Sequence, residues 1–297
     1  MKPTWKISDK MLANEDEFLN DFFSRFRLRY APSPIELEEG KIKNYRFPSF
    51  YGDVTQSVAI FLCDYQKTAA LIADKLHPKI KPVKISKGRS LIAFSCYEYK
   101  KVMNIRPYNE IAMAIPVMVN ARFNPPLLPM ITSLPRFGYY IAGMPVTSYE
   151  NMLRGHKIWG LPKVTHQIDI IRQGDDCTTI AYEEVGEPYL TITVPMSGTR
   201  AEFDEKSNLY TRHNGRICQC ETNFKGTFNV TKHSDLLFKK GVKPDKTYLT
   251  IGDSASAAFL RELEIEEHPF QLRYAEHVSS CFDLPNEDPP AWVKQLY

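Results

Sequence analysis

Lys163 stands in a setting unlike that of most lysines in this chain. It ends the run Gly155-His156-Lys157-Ile158-Trp159-Gly160-Leu161-Pro162-Lys163, and Val164 follows it. Trp159, Leu161, Pro162 and Val164 draw it toward apolar surroundings. Such surroundings withdraw solvation from the ammonium form and lower the pKa. At the reference value of about 10.4, only about one lysine amine in a few thousand is neutral at pH 7. Lowered to about 7, the amine becomes a usable nucleophile toward a carbonyl. Local sequence leaves two readings: a Schiff-base lysine, or a lysine snorkelling from a strand end with its head in water.

Other candidate chemistries fare worse. Cys218-Gln219-Cys220 with His213 nearby lacks the two-residue gap of a zinc knuckle, and no second pair follows. Gly252-Asp253-Ser254 has the form of one esterase class's nucleophile block, but no Asp-x-x-His partner lies downstream. A helix cap accounts for it. There is no G-x-G-x-x-G, no Walker A sequence and no H-E-x-x-H. The sequence therefore calls for no cofactor and no metal.

Bulk properties narrow the class. The chain has 297 residues, 43% apolar and 25% charged, ordinary values for a globular protein with a large core. A net charge of +3 with dispersed basic residues implies no nucleic-acid partner. The densest basic run, residues 79–87, reads as a solvated loop or edge strand. The six cysteines are scattered and outline no disulfide framework. No secretory h-region opens the chain, and the longest apolar run, residues 111–119, is too short to span a bilayer. The expectation is a cytoplasmic protein without a membrane partner, in which the sequon at Asn229 is a chance match.

The elements that must position Lys163 are mainly strands. Apolar strand-length runs occur at 57–63, 90–99, 110–120, 137–144, 165–172, 178–184 and 189–195, with weaker ones at 226–230, 248–251 and 271–275. Helices are expected at 65–76, at 147–155 from a Thr147-x-x-Glu150 capping box, and at 254–263. Met11, Leu12, Phe18, Leu19, Phe22, Phe23 and Phe26 predict an amphipathic helix over 9–28, and a Pro-, Glu- and Lys-rich connector follows. Its mixed charges fit packing on the core or a neighbouring subunit better than on a membrane. This pattern reads as α+β with an antiparallel sheet or barrel, not as a doubly wound fold.

Residues 150–164 resemble the lysine block of the acetoacetate decarboxylase family: Glu150-Asn151, Gly155, Trp159-Gly160-Leu161-Pro162 and Lys163. Pro107-Tyr108-Asn109-Glu110 and the run that follows it, with Pro116, resemble the block carrying the family's active-site glutamate. Residues 71–78 and 252–285 resemble its early helix and C-terminal stretch. The resemblance implies a barrel or cone of mainly antiparallel strands with peripheral helices over residues 46–297. Residues 1–45 are then an N-terminal extension of helix and connector. It implies Lys163 as the Schiff-base residue, Glu110 beside it, and a homo-oligomer acting on a small keto acid. Tyr108, Trp159 and Leu161 fall in the same blocks and are expected at the substrate pocket.

Departures from the family pattern are specific. Its decarboxylases carry a second lysine directly after the first, and acetoacetate decarboxylase is the standard example of a lysine activated by a neighbouring cation. Here Val164 takes that place. A second family glutamate falls on Ser95, with Glu98 close by, and Arg46 is the stand-in for an early arginine. Three functions follow as expectations. The first is decarboxylation of a β-keto acid such as acetoacetate through an iminium and enamine on Lys163. The second is aldolase–dehydratase condensation of pyruvate with an aldehyde at the same lysine, with Glu110 or Tyr108 as acid and base. The third is a non-catalytic small-molecule binding protein that keeps the pocket.

Overall fold

Long β-prone runs dominate the chain, and most of them meet in one barrel. The computed structural model describes residues 13–127, 129, 134–183 and 186–297. Four short strands come first: Arg29–Tyr30 (β1), Ile35–Glu38 (β2), Lys41–Lys43 (β3) and Arg46–Phe47 (β4). Ser49–Asp64 (β5), Ile80–Pro82 (β6), Arg89–Val102 (β7), Tyr108–Val119 (β8) and Phe137–Val146 (β9) follow. Lys163–Thr165 (β10) precedes Gln167–Gln173 (β11), Asp176–Tyr182 (β12) and Pro188–Pro195 (β13). Thr199–His213 (β14), Arg216–Lys232 (β15), Leu249–Ile251 (β16) and Pro269–Pro285 (β17) complete the set.

The order β9-β14-β15-β17-β5-β7-β8 closes on itself through β8–β9 pairing and makes a seven-stranded barrel. Every neighbouring pair is antiparallel except β14 with β9. Short β10 adds in parallel to the edge of β9, placing Lys163 opposite Met144.

The barrel wall has two apolar faces, as the near-continuous hydrophobic runs require. On β5, Val54, Gln56, Val58 and Ile60 line the interior cavity. Alternate residues Ala59, Phe61 and Cys63 pack outward in a second core with Ile72, Leu190 and Leu260. That outer core sits under the separate sheet β11-β12-β13-β16 and the helix Tyr65–Lys75. Strands therefore run longer than their apolar segments alone, as in β5 and β7, because side chains on both faces are buried. The expected antiparallel barrel with peripheral helices is the observed fold. No helix among the described residues is long and apolar enough to cross a membrane.

The expected amphipathic helix over 9–28 is not formed in its described part. Met11 and Leu12 lie outside the described residues. Only short 3-10 turns occur, at Glu15–Glu17 and Phe23–Arg25. Phe18, Phe22 and Phe23 instead bury themselves against Phe50, Met103 and Cys281. A cluster of rings closed by edge contacts, such as Phe18–Phe23 at 5.1 Å, satisfies these side chains without a continuous helix. Leu19, assigned to the apolar face by spacing, is 80% exposed.

Candidate active site

Lys163 reaches the barrel because the preceding turn is shaped to deliver it. The helix Tyr149–Arg154 is capped by Ser148, whose hydroxyl accepts from the Asn151 N–H at 3.2 Å. Thr147 is not the cap, and the expected capping box is absent. Glu150 instead accepts from Lys43 Nζ at 2.9 Å and the Tyr45 hydroxyl at 2.5 Å. The helix widens into a π turn over Gly155–Trp159 and stops at Gly160, whose φ of 63° lies in the left-handed region. The Lys163 N–H then bonds the Leu161 carbonyl at 2.8 Å across Pro162. Proline's fixed φ suits the centre of such a three-residue turn. His156 Nε2 donates to the Lys163 carbonyl at 2.6 Å and ties the turn to the strand.

The Lys163 side chain runs over Gly155. A Cβ at that glycine would lie 2.5 Å from Lys163 Cδ and 2.9 Å from Cγ, too close for any larger residue to leave the lysine in place. Alternation along β10 turns Lys163 inward, 4% exposed, and Val164 outward, 44% exposed. A lysine at position 164 would therefore point away from this site.

Lys163 Nζ donates to Glu110 Oε2 at 2.6 Å, and both side chains are almost fully buried. Asn151 Nδ2 donates to the same oxygen at 3.3 Å, and the Tyr99 hydroxyl donates to Oε1 at 3.3 Å. The Tyr108 ring lies beside the pair, with its centroid 5.9 Å from Lys163 Nζ. Arg154, one residue before Gly155, is 1% exposed. It donates to Ser49 Oγ at 2.7 Å and stacks over the Tyr45 ring at 4.4 Å. Among the described residues, no carboxylate forms an ion pair with Arg154.

Burial pushes the Lys163 amine below its usual range, Glu110 pulls it back up, and the Arg154 guanidinium pushes it down again. Arg154 is thus a cation that acts on the Lys163 amine, after burial and Glu110. Burial also raises Tyr99 and Tyr108 well above the ordinary phenol value, so both stay protonated donors at neutral pH.

The other expected site residues fall elsewhere. Trp159 is buried between Phe282, stacked at 4.7 Å, and Phe47, edge-on at 5.9 Å; its indole N–H donates to the Asp283 carbonyl. Leu161 packs in the same apolar cluster, and neither it nor Trp159 is among the residues that line the barrel cavity. The Arg46 side chain is 40% exposed, lies 3.9 Å from Glu15 and stacks on Tyr30. Glu98 alternates outward from Tyr97 and Tyr99 and pairs with Arg172. Ser95 faces the barrel cavity. Sequence reasoning missed Arg154, Asn151 and Tyr99; the first two sit in the lysine block, where an arginine just before the glycine was the available signal. Cys218 and Cys220 lie on β15, and no cluster among the described residues is placed to hold a metal ion.

A cavity of about 480 Å³ occupies the barrel interior. Inward residues on β8, β7 and β5 line it: Ala112, Ala114, Ser95, Tyr97, Gln56 and Val58 among them. Glu110 is the next inward position beyond Ala112, and its row across the sheet is Glu110, Tyr97, Gln56 and Ala275. The Lys163–Glu110 pair therefore stands at the end of the same wall that lines the cavity.

Residues 33–216 match the family model for acetoacetate decarboxylase (ADC). No curated protein matches the sequence. Solved structures share the fold. Acetoacetate decarboxylase from Legionella pneumophila superposes with a TM-score of 0.55 at 12% identity, covering 80% of this chain and 86% of that one. An acetoacetate decarboxylase-like enzyme from Sphingomonas wittichii RW1 gives 0.50 at 14% identity, covering 81% and 94%. MppR, an enduracididine biosynthesis enzyme solved with the condensation product of pyruvate and imidazole 4-carboxaldehyde, gives 0.50 at 10% identity, covering 80% and 89%. With more than half of its length matched by the family model, the chain belongs to the acetoacetate decarboxylase family.

Proposed function

We propose that this protein is a Schiff-base lyase acting on a small keto acid, with Lys163 as nucleophile and Glu110 as proton carrier. The observation that carries the reading is the buried Lys163–Glu110 contact of 2.6 Å beside the buried Arg154. A lysine there has a lowered affinity for its proton and a carboxylate in position to accept it. Glu110 takes one proton from the Lys163 ammonium. The neutral amine adds to the keto carbon, and the carbinolamine hydroxyl leaves as water with the proton that Glu110 returns. In the iminium so formed, the positively charged C=N accepts an electron pair.

With a β-keto acid, the bond to the carboxylate breaks and CO2 departs. Its electron pair forms the enamine, which is protonated at carbon before water hydrolyses the imine. Decarboxylation is the leading reading because the family model that matches is that of acetoacetate decarboxylase, and Arg154 supplies a second buried positive charge near the lysine. That charge favours the neutral amine at the start.

The cavity supports a second reading. Its volume of about 480 Å³ lies within the range of about 300–1,000 Å³ typical of sites for drug-sized ligands. That is room for two reactants, and MppR, of the same fold, was solved with a pyruvate–aldehyde condensation product. Here Glu110 would take a proton from the methyl carbon of the pyruvyl iminium on Lys163, the resulting enamine would attack an aldehyde carbon, and Glu110 or Tyr108 would protonate the alkoxide before water hydrolyses the imine. Parallel assays separate the two: CO2 release from β-keto acids, and aldehyde-dependent consumption of pyruvate. Lys163→Ala abolishes whichever activity is real. Loss of neither substrate over a broad panel would leave a binding protein and overturn both.

A further inference from the structure

Arg273 is a half-buried cation that lines the barrel interior, on the wall opposite the lysine block. It lies on β17, three strands from β8 in a ring of seven. Register places it one inward row from the reaction site. The row Ala112, Ser95, Val58, Arg273 crosses β8, β7, β5 and β17, one inward step along the barrel from the row of Glu110. One such step is about 7 Å along a strand. The side chain lines the same cavity as Ala112, Ser95 and Gln56.

The surroundings of this guanidinium are unusual for a structural arginine. It stacks on Phe203 at 4.8 Å, and Nη2 donates to Gln271 Oε1 at 3.0 Å. Nε is buried and has no hydrogen-bond partner. Among the described residues, no carboxylate comes within ion-pair distance of Arg273; Glu205, which also lines the cavity, is exposed. Burial alone pushes its pKa below the usual arginine value, and Tyr139 and Glu205 oppose that from a distance. The half-buried guanidinium thus keeps a shielded N–H without an acceptor, a cost that an arriving anion would remove. Arginine's planar fork suits a carboxylate, which it can bind through two parallel N–H bonds.

We propose that Arg273 binds a second carboxylate of the substrate, so that the preferred keto acid is a diacid whose far carboxylate lies several bonds from the carbonyl attacked by Lys163. The proposal rests on the Schiff-base reading and narrows its substrate class. Lys163 holds the keto end at one end of the cavity wall, and Arg273 holds the acid end across the barrel. The apolar residues between them, Ala112, Ala114 and Val58, accommodate the connecting methylenes.

Two measurements test it. The first is borohydride trapping of keto diacids and of keto monoacids of matched length, read by intact mass as a function of concentration. Wild-type protein should reach half-saturation with a diacid at a concentration about 10- to 100-fold lower than with the matched monoacid. Arg273→Gln should erase that preference and still trap the monoacid, while Arg273→Lys should restore part of it. The second is thermal stabilisation by saturated diacids such as glutarate and adipate, which form no imine. Wild-type protein should be stabilised by a diacid more than by butyrate, and Arg273→Gln should not.

Equal half-saturation for diacids and monoacids in the wild type overturns the proposal, with no variant needed. So does a diacid preference that survives Arg273→Gln. Trapping of monoacids alone leaves the Schiff-base reading standing and removes only the diacid. Absence of any trapped adduct removes both.

Discussion

Gly155 and Lys163 are a matched pair: the lysine side chain lies where a Cβ on residue 155 would be, 2.5 Å from Lys163 Cδ. The glycine backbone is itself right-handed helical, with φ −54° and ψ −46°, so an alanine there meets no backbone strain. The three nearest atoms are all lysine side chain. Gly155→Ala should therefore fold, with its helix preference offsetting part of the crowding by about 1 kcal/mol. Lys163 should be displaced, and imine formation should slow by about 100-fold, as expected for a misplacement of about 1 Å. Rapid-quench trapping alongside a melting curve checks this; an unslowed variant would mean that the lysine's path is not critical.

Arg154 is predicted to set the protonation of Lys163. Arg154→Met removes a positive charge that holds the lysine down, so the apparent pKa of Lys163 should rise. The neutral fraction at pH 7 then falls about tenfold for each unit of rise. Rate should be lost at neutral pH and recovered in alkaline buffer. The check is Lys163 modification by a small acylating reagent against pH, in which a midpoint unmoved by the variant would assign activation to burial alone.

Glu110 acts in the opposite sense on the same amine. Its charge raises the Lys163 pKa, so Glu110→Gln should move the modification midpoint down, leaving more neutral lysine. Turnover should nevertheless fall by about 100- to 10,000-fold, because the proton carrier is gone. A variant whose midpoint and turnover both hold would show that the carboxylate is a structural partner only.

The pair also matters to folding. Lys163→Met leaves Glu110 buried with its main positive partner removed, at a cost of about 3–5 kcal/mol near neutral pH. The double variant Lys163→Met/Glu110→Leu removes both charges and should regain most of that loss. Denaturant titration of the single and double variants measures the difference. Equal destabilisation in both would mean that packing, not charge, dominates the site.

How far the site was legible in the sequence depended on distance along the chain. Lys163 stood out because its apolar neighbours are adjacent to it. Glu110 was reached only through the family resemblance, since nothing near it distinguishes a catalytic carboxylate from one that starts a strand. Arg154 and Asn151 were within the lysine block, but their convergence on Lys163 and Glu110 depends on the widened π turn, which no periodicity announces. Arg273 became visible only through register across four strands. Strand runs were legible because β5 and β7 carry strand-length apolar runs, buried on both faces. The N-terminal phenylalanines misled because ring clustering on Phe50 satisfies the same spacing that a helix would. Val164 was correctly marked as a departure, and the alternation of β10 explains why a charge there would have been turned outward.

The central claim is that Lys163 forms a covalent imine with a keto acid. The direct test is incubation with acetoacetate, pyruvate and a panel of longer keto acids, reduction with borohydride, and peptide mapping by mass spectrometry. The prediction is one added keto-acid-derived unit, reduced and stable, on the peptide containing Lys163, and none in Lys163→Ala. An adduct on another lysine, or no adduct across the panel with a Lys163 that titrates near about 10, would contradict it.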